Sequence, residues 1–310
     1  PHAANSGANL QTQCNGTVAG NLHVEVRYPR KGGGLGEQSP RCAVPAPAGG
    51  PRAPQTPHST NDPNQEKAAN KHKAYRTGRS AAGRCKNLSV LFENEDVLII
   101  NKDSGDIVHG EGSLDEAVGR YLAGKIHPSL SFKPGPAHRL DRNTSGVILF
   151  SKSLSGAQYL SAGLREGLFR KTYVAIVHGS LGEGEAFWED ALQRDPDAQK
   201  TRVAGADARG AKPARTKITP LARTDALTLV QAEIETGRTH QIRAQAAAHG
   251  HPLLNDNKYN AVEAQNAAAF FLHSLNIEFP ADNPLHLPEK IRAPLPTAFQ
   301  NAVAQLFPAV

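Results

Sequence analysis

The sequence predicts an α+β fold in which strands outnumber helices. Apolar runs rich in β-branched residues recur after residue 87, and no regular crossover helices separate them as they would in a doubly wound sheet. Apolar residues at helical spacing are confined to a few short segments. Together these observations favour a domain built around a sheet, with short helices beside it.

Ordered structure is expected to begin near Leu88 with a β-hairpin. The runs 90–93 and 97–100 have strand composition, and the polar residues 94–96 between them predict the turn. The sequence Ser-Leu-Asp-Glu at 113–116 has the capping-box pattern. Because apolar residues then recur at helical spacing, a helix is predicted there.

The later segments alternate between strand and helix patterns. The stretch 181–213 is rich in Gly, Asp and Ala, and this composition predicts an insertion poor in strands. The other expected elements are a strand at 147–150, a short helix at 154–164, strands at 172–177 and 227–235, a helix at 239–249, a strand at 270–279 and a closing helix at 299–306.

Residues 1–87 differ in composition from the rest of the chain. They hold 12 of the 35 Lys and Arg, 4 of the 29 Asp and Glu, 11 Gly and 9 Pro, but no Phe or Trp. Such a segment cannot bury enough apolar surface to offset its ordering entropy, so we expect a disordered basic segment followed by one folded domain, 88–310. That domain has 23 basic and 25 acidic residues, a net charge of −2, so nucleic-acid binding there requires a local basic patch.

The cysteine and histidine patterns narrow the class of protein further. Cys14, Cys42 and Cys85 are odd in number and irregular in spacing, which argues against a disulfide framework and fits the cytoplasm. No apolar run is long enough for a membrane span or a signal peptide. The histidines within 240–251 lack accompanying ligands at metal-site spacing, so no metal site is expected. Nothing signals an obligate interface, which predicts a monomer.

The loop His138–Gly146 concentrates the polar chemistry of the chain. It places the carboxylate of Asp141 between Arg139 and Arg142, directly before the apolar strand predicted at 147–150. A compact polar loop on a buried strand presents a reactive group on a rigid support. A solvated turn in which Asp141 pairs with a neighbouring arginine is the alternative, and these nine residues leave both open.

Two further polar stretches follow this loop in order. They read Arg-Lys-Thr-Tyr-Val-Ala at 170–175 and Thr-Gly-Arg-Thr-His-Gln-Ile-Arg at 236–243, the second continuing to Gly-His-Pro-Leu-Leu-Asn-Asp at 250–256. With the loop, they resemble the three ordered motifs of the RluA-type pseudouridine synthases, which isomerise uridines in ribosomal and transfer RNA. The resemblance runs from about residue 88 to about residue 307. It implies the pseudouridine synthase fold, a mixed and mostly antiparallel sheet with flanking helices and a central active-site cleft.

The resemblance also implies which residues are catalytic. Asp141 corresponds to the catalytic aspartate, Arg243 to the cation that keeps it ionised, and Tyr173 to the aromatic platform for a flipped uracil. Asp141 could attack C1′ of the ribose or remove the C2′ proton, and the sequence leaves both open. The isomerisation is redox-neutral and adds no atoms, so no cofactor is expected.

RNA-binding roles are implied for a second group of residues. By the resemblance, Arg139 enters the RNA stack in place of the target base. Contacts to phosphates or the neighbouring backbone are expected from His138, Lys171, Arg238 and His240. Simpler alternatives stay open for several of these assignments. Arg139 could form a surface ion pair, Asp141 and Arg243 could form a structural pair, and Tyr173 could be a core residue.

Some positions depart from the family pattern. Asp103 stands where proline is customary, Gln245 where histidine is common, and Asn255 where glycine precedes Asp256. These departures concern substrate preference and stability. The predicted function is isomerisation of specific uridines in ribosomal or transfer RNA. The alternatives are an inactive RNA-binding or ribosome-assembly factor with the same fold and, more remotely, a hydrolase.

Overall fold

The computed structural model describes residues 88–126, 132–259 and 269–308, so the segment expected to be disordered, 1–87, lies outside the described residues. The elements in chain order are β1 (Val90–Glu93), β2 (Val97–Lys102), α1 (Leu114–Leu122), β3 (Gly135–Pro136), β4 (Ser145–Ser151), α2 (Leu154–Glu166), β5 (Arg170–His178), β6 (Ala186–Asp195), β7 (Lys200–Ala204), β8 (Lys212–Arg223), β9 (Leu227–Ile234), α3 (Gln241–Ala248), β10 (Leu272–Glu278), β11 (Lys290–Arg292) and α4 (Thr297–Leu306). No described helix is long and apolar enough to cross a membrane.

The strands form one mixed, mostly antiparallel sheet, as predicted. Its order is β1-β2-β4-β10-β5-β9-β8-β6-β7, with β3 pairing β4 and β11 pairing β10. The β4–β10 pair is parallel, whereas the other strand pairs are antiparallel. Strand β10 therefore joins two antiparallel halves at the centre of the sheet.

A glycine permits the parallel contact between β4 and β10. Gly146 has a φ of +107°, and a Cβ added there would lie 2.1 Å from the carbonyl oxygen of Ser274. Any other residue would push the two strands apart and would be strained as well. The glycine that ends the His138–Gly146 loop is thus required by the fold, and it fixes where that loop begins its strand.

The central strands are buried on both faces, which explains their uninterrupted apolar runs. Leu98 and Ile148 lie in one core cluster, with residues of α1 and α3. Ile99 and Leu149 lie in another, with residues of α2. Helices therefore cover both sides of this part of the sheet.

The predicted helices are confirmed, and the capping box forms with one shift, since Glu116 binds the residue before the cap. The side chain of Ser113 accepts a hydrogen bond from the N–H of Glu116, and the carboxylate of Glu116 accepts one from the N–H of Gly112. Ser153 caps α2 in the same way, with its side chain accepting from the N–H of Gly156. These side chains satisfy backbone donors that the first helical turn leaves unpaired.

The prediction of a strand-poor insertion at 181–213 was wrong. This segment contains β6, β7 and the start of β8, which pair antiparallel in the order β8-β6-β7. On β6, Trp188 and Leu192 are buried at 3% and 4% exposure, while Phe187 is 64% exposed. Because alternate residues face the core, pairing and one-sided burial form these strands despite the weak strand propensity of the segment.

Candidate active site

Asp141 lies in the loop before β4, and a buried lysine braces that loop. Lys102, at 0% exposure, donates from Nζ to the carbonyl oxygens of Asp103, Arg142 and Thr144 at 2.8, 2.9 and 2.7 Å. The N–H of Thr144 donates to the carbonyl of Asp141 at 3.1 Å. The ammonium therefore ties the backbone that follows Asp141 to the end of β2.

Arg243 joins Asp141 to a second, buried carboxylate. From α3, it donates through Nη1 to Oδ2 of Asp141 at 2.8 Å. Its Nε and Nη2 donate to Oδ2 and Oδ1 of Asp256 at 2.7 and 2.8 Å, a two-point contact. Burial lowers the pKa of Arg243, but the bonds to Asp256 and Asp141 outweigh that effect and raise it. The guanidinium therefore stays charged and fixes one oxygen of Asp141.

His240 faces the other oxygen of Asp141. Its Nε2 lies 3.6 Å from Oδ1 of Asp141, and its Nδ1 lies 3.0 Å from the hydroxyl of Tyr259. Burial lowers the pKa of His240 to about 4, opposed by the charge of Asp141 and reinforced by that of Arg243. The imidazole is therefore neutral at pH 7. Although His240 was expected to contact RNA, its side chain is directed at the carboxylate.

Tyr173 lies on β5 and borders the same space as Asp141. It is 7% exposed, and it lines a small cavity with Leu140, Asp141 and Arg243. Burial, together with the charge of Asp141, raises the pKa of Tyr173 to about 12, while a hydrogen bond with Ser274 opposes the shift. Its phenol is therefore protonated at neutral pH, and it can donate a hydrogen bond without carrying charge.

A larger cavity of about 440 Å³ opens beside this site, and four cations and two carboxylates are among the groups that line it: Arg139, Arg165, Lys171, Arg238, Asp141 and Glu235. We call it the basic cleft. Lys171 is only 7% exposed, and burial, followed by the charge of Arg238, lowers its pKa. Within the described residues Lys171 forms no salt bridge, and Arg238 donates from Nε to the carbonyl of Pro213 at 3.0 Å. The cleft can accept an anion, because a buried cation without a carboxylate gains most from one.

His138 lines the cleft but has a structural contact of its own. Its Nε2 accepts a hydrogen bond from the N–H of Leu149 on β4 at 3.1 Å. Burial, and then the charge of Lys171, lower the pKa of His138 to about 4. This ring nitrogen therefore holds the loop against β4. The RNA contact predicted for His138 would have to use the rest of the ring.

The structure brings all eight predicted site residues to these two adjoining cavities. Sequence reasoning missed Lys102, Tyr259 and the partnership of Asp256 with Arg243. Asp256 stood in the third motif stretch, but a carboxylate's partner cannot be read from its position. Nothing in the sequence marks Tyr259, since its contacts join segments distant along the chain.

The departures from the family pattern fall at structural positions. Gln245 is fully buried, and its Nε2 donates to the carbonyl of Trp188 at 3.0 Å and to Oδ2 of Asp190 at 2.8 Å. Its Oε1 accepts from the hydroxyl of Thr216 at 2.7 Å. Asn255 has a φ of +67°, the left-handed conformation expected where glycine is customary. In residues 88–126, 132–259 and 269–308, no group of three or more His, Cys, Asp or Glu is arranged to hold a metal ion.

Comparison with known proteins gives one consistent family. Residues 96–248 match the family described as RNA pseudouridylate synthase. A Buchnera aphidicola protein, ribosomal large subunit pseudouridine synthase C, is 34% identical over 222 residues, which cover 68% of this chain and 68% of that protein. The Pasteurella multocida protein of the same name is 34% identical over 196 residues, covering 61% of this chain and 59% of its own length.

Solved structures show the same fold. Human RNA pseudouridylate synthase domain containing 1 superposes with a TM-score of 0.59 at 22% identity, over 74% of this chain and 91% of that one. Human RNA pseudouridylate synthase domain containing 4 gives a TM-score of 0.57 at 22% identity, over 70% and 92% of the two chains. At this identity, the likeness shows the fold alone.

Proposed function

The chain belongs to the RNA pseudouridylate synthase family of isomerases, and we propose that it converts specific uridines in structured RNA to pseudouridine. The observation that carries this proposal is Asp141, held at 2.8 Å by Arg243 beside Tyr173 and next to the basic cleft. Family membership confirms what the three sequence motifs predicted. The roles of the individual residues are part of this proposal.

The reaction requires one reactive carboxylate and a surface that retains the base. The N1–C1′ bond breaks, the uracil turns over, and C5 bonds to C1′ while the proton at C5 leaves and N1 gains one. Asp141 acts at the ribose, either as a nucleophile at C1′ or as a base at C2′, and both roles need an ionised oxygen. Tyr173 supplies the ring against which the detached uracil is held.

The basic cleft explains how RNA would reach Asp141. The carboxylate side chain is only 15% exposed, so the target nucleotide must leave its helix to be modified. Lys171 and Arg238 contact phosphates next to that nucleotide, while the exposed Arg139 fills the place that the base vacates. We propose large-subunit ribosomal RNA as the first substrate to test, because of the names of the relatives, and transfer RNA as the second. The enzyme would act as a cytoplasmic monomer without a cofactor.

The test is release of tritium from [5-³H]uridine-labelled ribosomal RNA transcripts, with carbodiimide primer extension to locate the modified base. The full chain should release tritium, and Asp141→Asn should abolish release while RNA affinity changes less than about threefold. Full activity of Asp141→Asn would contradict the role of Asp141. RNA binding without release by the wild-type protein on ribosomal and transfer RNA would instead favour the RNA-binding factor.

A further inference from the structure

His240 is held in an unusual backbone conformation beside the reactive carboxylate. It precedes α3 with a φ of +53°, a backbone angle that residues other than glycine rarely adopt. Its side chain makes no capping hydrogen bond to the helix. The conformation places the imidazole between Asp141 and Tyr259 instead. Local strain of this kind is retained where the surrounding contacts need the side chain in one place.

Tyr259 distinguishes the two nitrogens of His240. The tyrosine hydroxyl oxygen accepts the N–H of Thr201 on β7 at 2.9 Å, and it lies 3.0 Å from Nδ1 of His240. If the hydroxyl proton is donated to Nδ1, the remaining proton of the neutral ring is on Nε2, which faces Oδ1 of Asp141 at 3.6 Å. The other tautomer would direct the Nε2 lone pair at the carboxylate, an electrostatic repulsion.

We propose that His240 is a positioning residue for Asp141, and that the Tyr259 hydroxyl fixes the tautomer whose Nε2–H faces Oδ1. The inference rests on the proposed function, because it concerns the same carboxylate. It adds a second contact to Asp141, one that neither the sequence motifs nor the family match assigns.

A neutral donor suits this oxygen better than a second cation would. Arg243 already binds Oδ2 at 2.8 Å, which leaves Oδ1 as the oxygen that can react. An N–H on a neutral ring orients Oδ1 without the added positive charge that would weaken it as a nucleophile or base. The charged groups around the ring are Asp141, Arg243, Asp256 and Lys258, and they act in opposing directions. The long contact at Oδ1 can shorten when substrate binds.

The first experiment compares matched hydroxyl deletions in the full chain. Tyr259→Phe keeps the ring beside Arg243, and it should lower the single-turnover rate of tritium release about 10- to 100-fold with RNA affinity unchanged. Tyr121→Phe is the control, since its hydroxyl donates to Glu93 at 2.7 Å, outside both cavities. His240→Gln, whose amide N–H can replace Nε2–H, should keep more activity than His240→Leu.

The second experiment observes the tautomer itself. Long-range ¹⁵N–¹H NMR of ¹⁵N-histidine-labelled protein should show His240 protonated on Nε2 at pH 7, and Tyr259→Phe should give a mixture. An Nδ1–H ring or an imidazolium in the wild type would overturn the inference, as would an unchanged rate in Tyr259→Phe. Absence of tritium release by the wild type would contradict the proposed function instead, while the NMR spectrum would still decide the tautomer.

Discussion

Arg170 and Lys171 are neighbours on β5, yet they face opposite sides of the sheet and two different chemical settings. Arg170 is exposed and lies 3.3 Å from a carboxylate oxygen of Glu233 and 3.8 Å from one of Glu278. Lys171 is buried beside Arg238 in the basic cleft, and no described carboxylate forms a salt bridge with it. The difference separates a cation that serves the fold from one that is available to a ligand.

The pairing of Arg170 continues across the outer face of the sheet. Cations and glutamates alternate there through Lys290–Glu278 at 2.8 Å, Lys217–Glu185 at 2.6 Å, Lys217–Glu233 at 3.8 Å, Arg215–Glu189 at 3.6 Å and Arg215–Glu235 at 3.8 Å. We call this network, with Arg170, the charge ladder. Because its charges cancel locally, a domain with 23 basic and 25 acidic residues can still present a basic cleft, and the ladder meets that cleft at Glu235, which lines it.

Replacing a paired arginine in the active site and one in the charge ladder should give the largest difference in stability and activity. Arg243→Gln leaves the buried Asp256 without its cation, so the free energy of unfolding should fall by about 3–5 kcal/mol. Activity should fall about 100- to 1000-fold, since Oδ2 of Asp141 is no longer held. Arg215→Gln on the charge ladder should change unfolding by less than about 1 kcal/mol and leave activity intact. Urea unfolding measures the stability of both variants, and tritium release measures their activity. Equal effects of the two substitutions would contradict the difference between the active site and the charge ladder.

Acid should destabilise the cleft side. The pKa of His138 is lowered from 6.5 to about 4, so between these values the unfolded chain binds a proton that the folded chain resists. This contribution to stability is complete above pH 6.5 and is lost as the pH falls towards 4. On acidification to pH 5, His138 should cost on the order of 2 kcal/mol.

The control for acid is a variant that keeps the contact without the titration. His138→Gln can still accept the N–H of Leu149, so it should lose less stability than the wild type between pH 7 and pH 5 in urea unfolding. Equal losses would show that another group titrates.

Raising the salt concentration at pH 7 should screen the exposed charge ladder and alter stability by less than about 1 kcal/mol.

A further comparison concerns RNA affinity and uses the two neighbouring cations themselves. Lys171→Gln should weaken RNA affinity about tenfold and reduce the slope of log affinity against log salt by about one. Arg170→Gln removes the same charge one residue away, and it should change neither the RNA affinity nor its salt dependence. Filter binding at several salt concentrations checks both variants. A similar loss for Arg170→Gln would mean that RNA also contacts the outer face.

The strands that were predicted from the sequence include those buried on both faces of the sheet. The runs 97–100 and 147–150 are buried in β2 and β4, where apolar residues suffice for either face. Strands β6 and β7 were missed because their stability comes from partners found only in three dimensions. Trp188 on β6, for example, pairs in register with Thr216 on β8. Composition alone carries no record of such pairing.

The site was predictable where chemistry follows a local motif. Asp141 and Arg243 were identified, although 102 residues separate them, because each stands in a recognisable stretch. Lys102 and Tyr259 were not identified, since their roles are contacts with backbone or side chains brought near by folding. The RNA contact of His240 stays a prediction, whereas its approach to Asp141 was not foreseen, because the orientation of the ring depends on a backbone torsion that the sequence does not display.

The position of β10 has a consequence for how the molecule acquires its activity. Asp141 precedes β4 in one half of the sheet, whereas Tyr173 and Arg243 belong to the other half. The strand that closes the gap between β4 and β5 is β10, which is made more than a hundred residues after β4. Contacts so distant along the chain form slowly. During synthesis, we therefore expect Asp141 to meet Tyr173 and Arg243 only after β10 has been made and has paired with both β4 and β5.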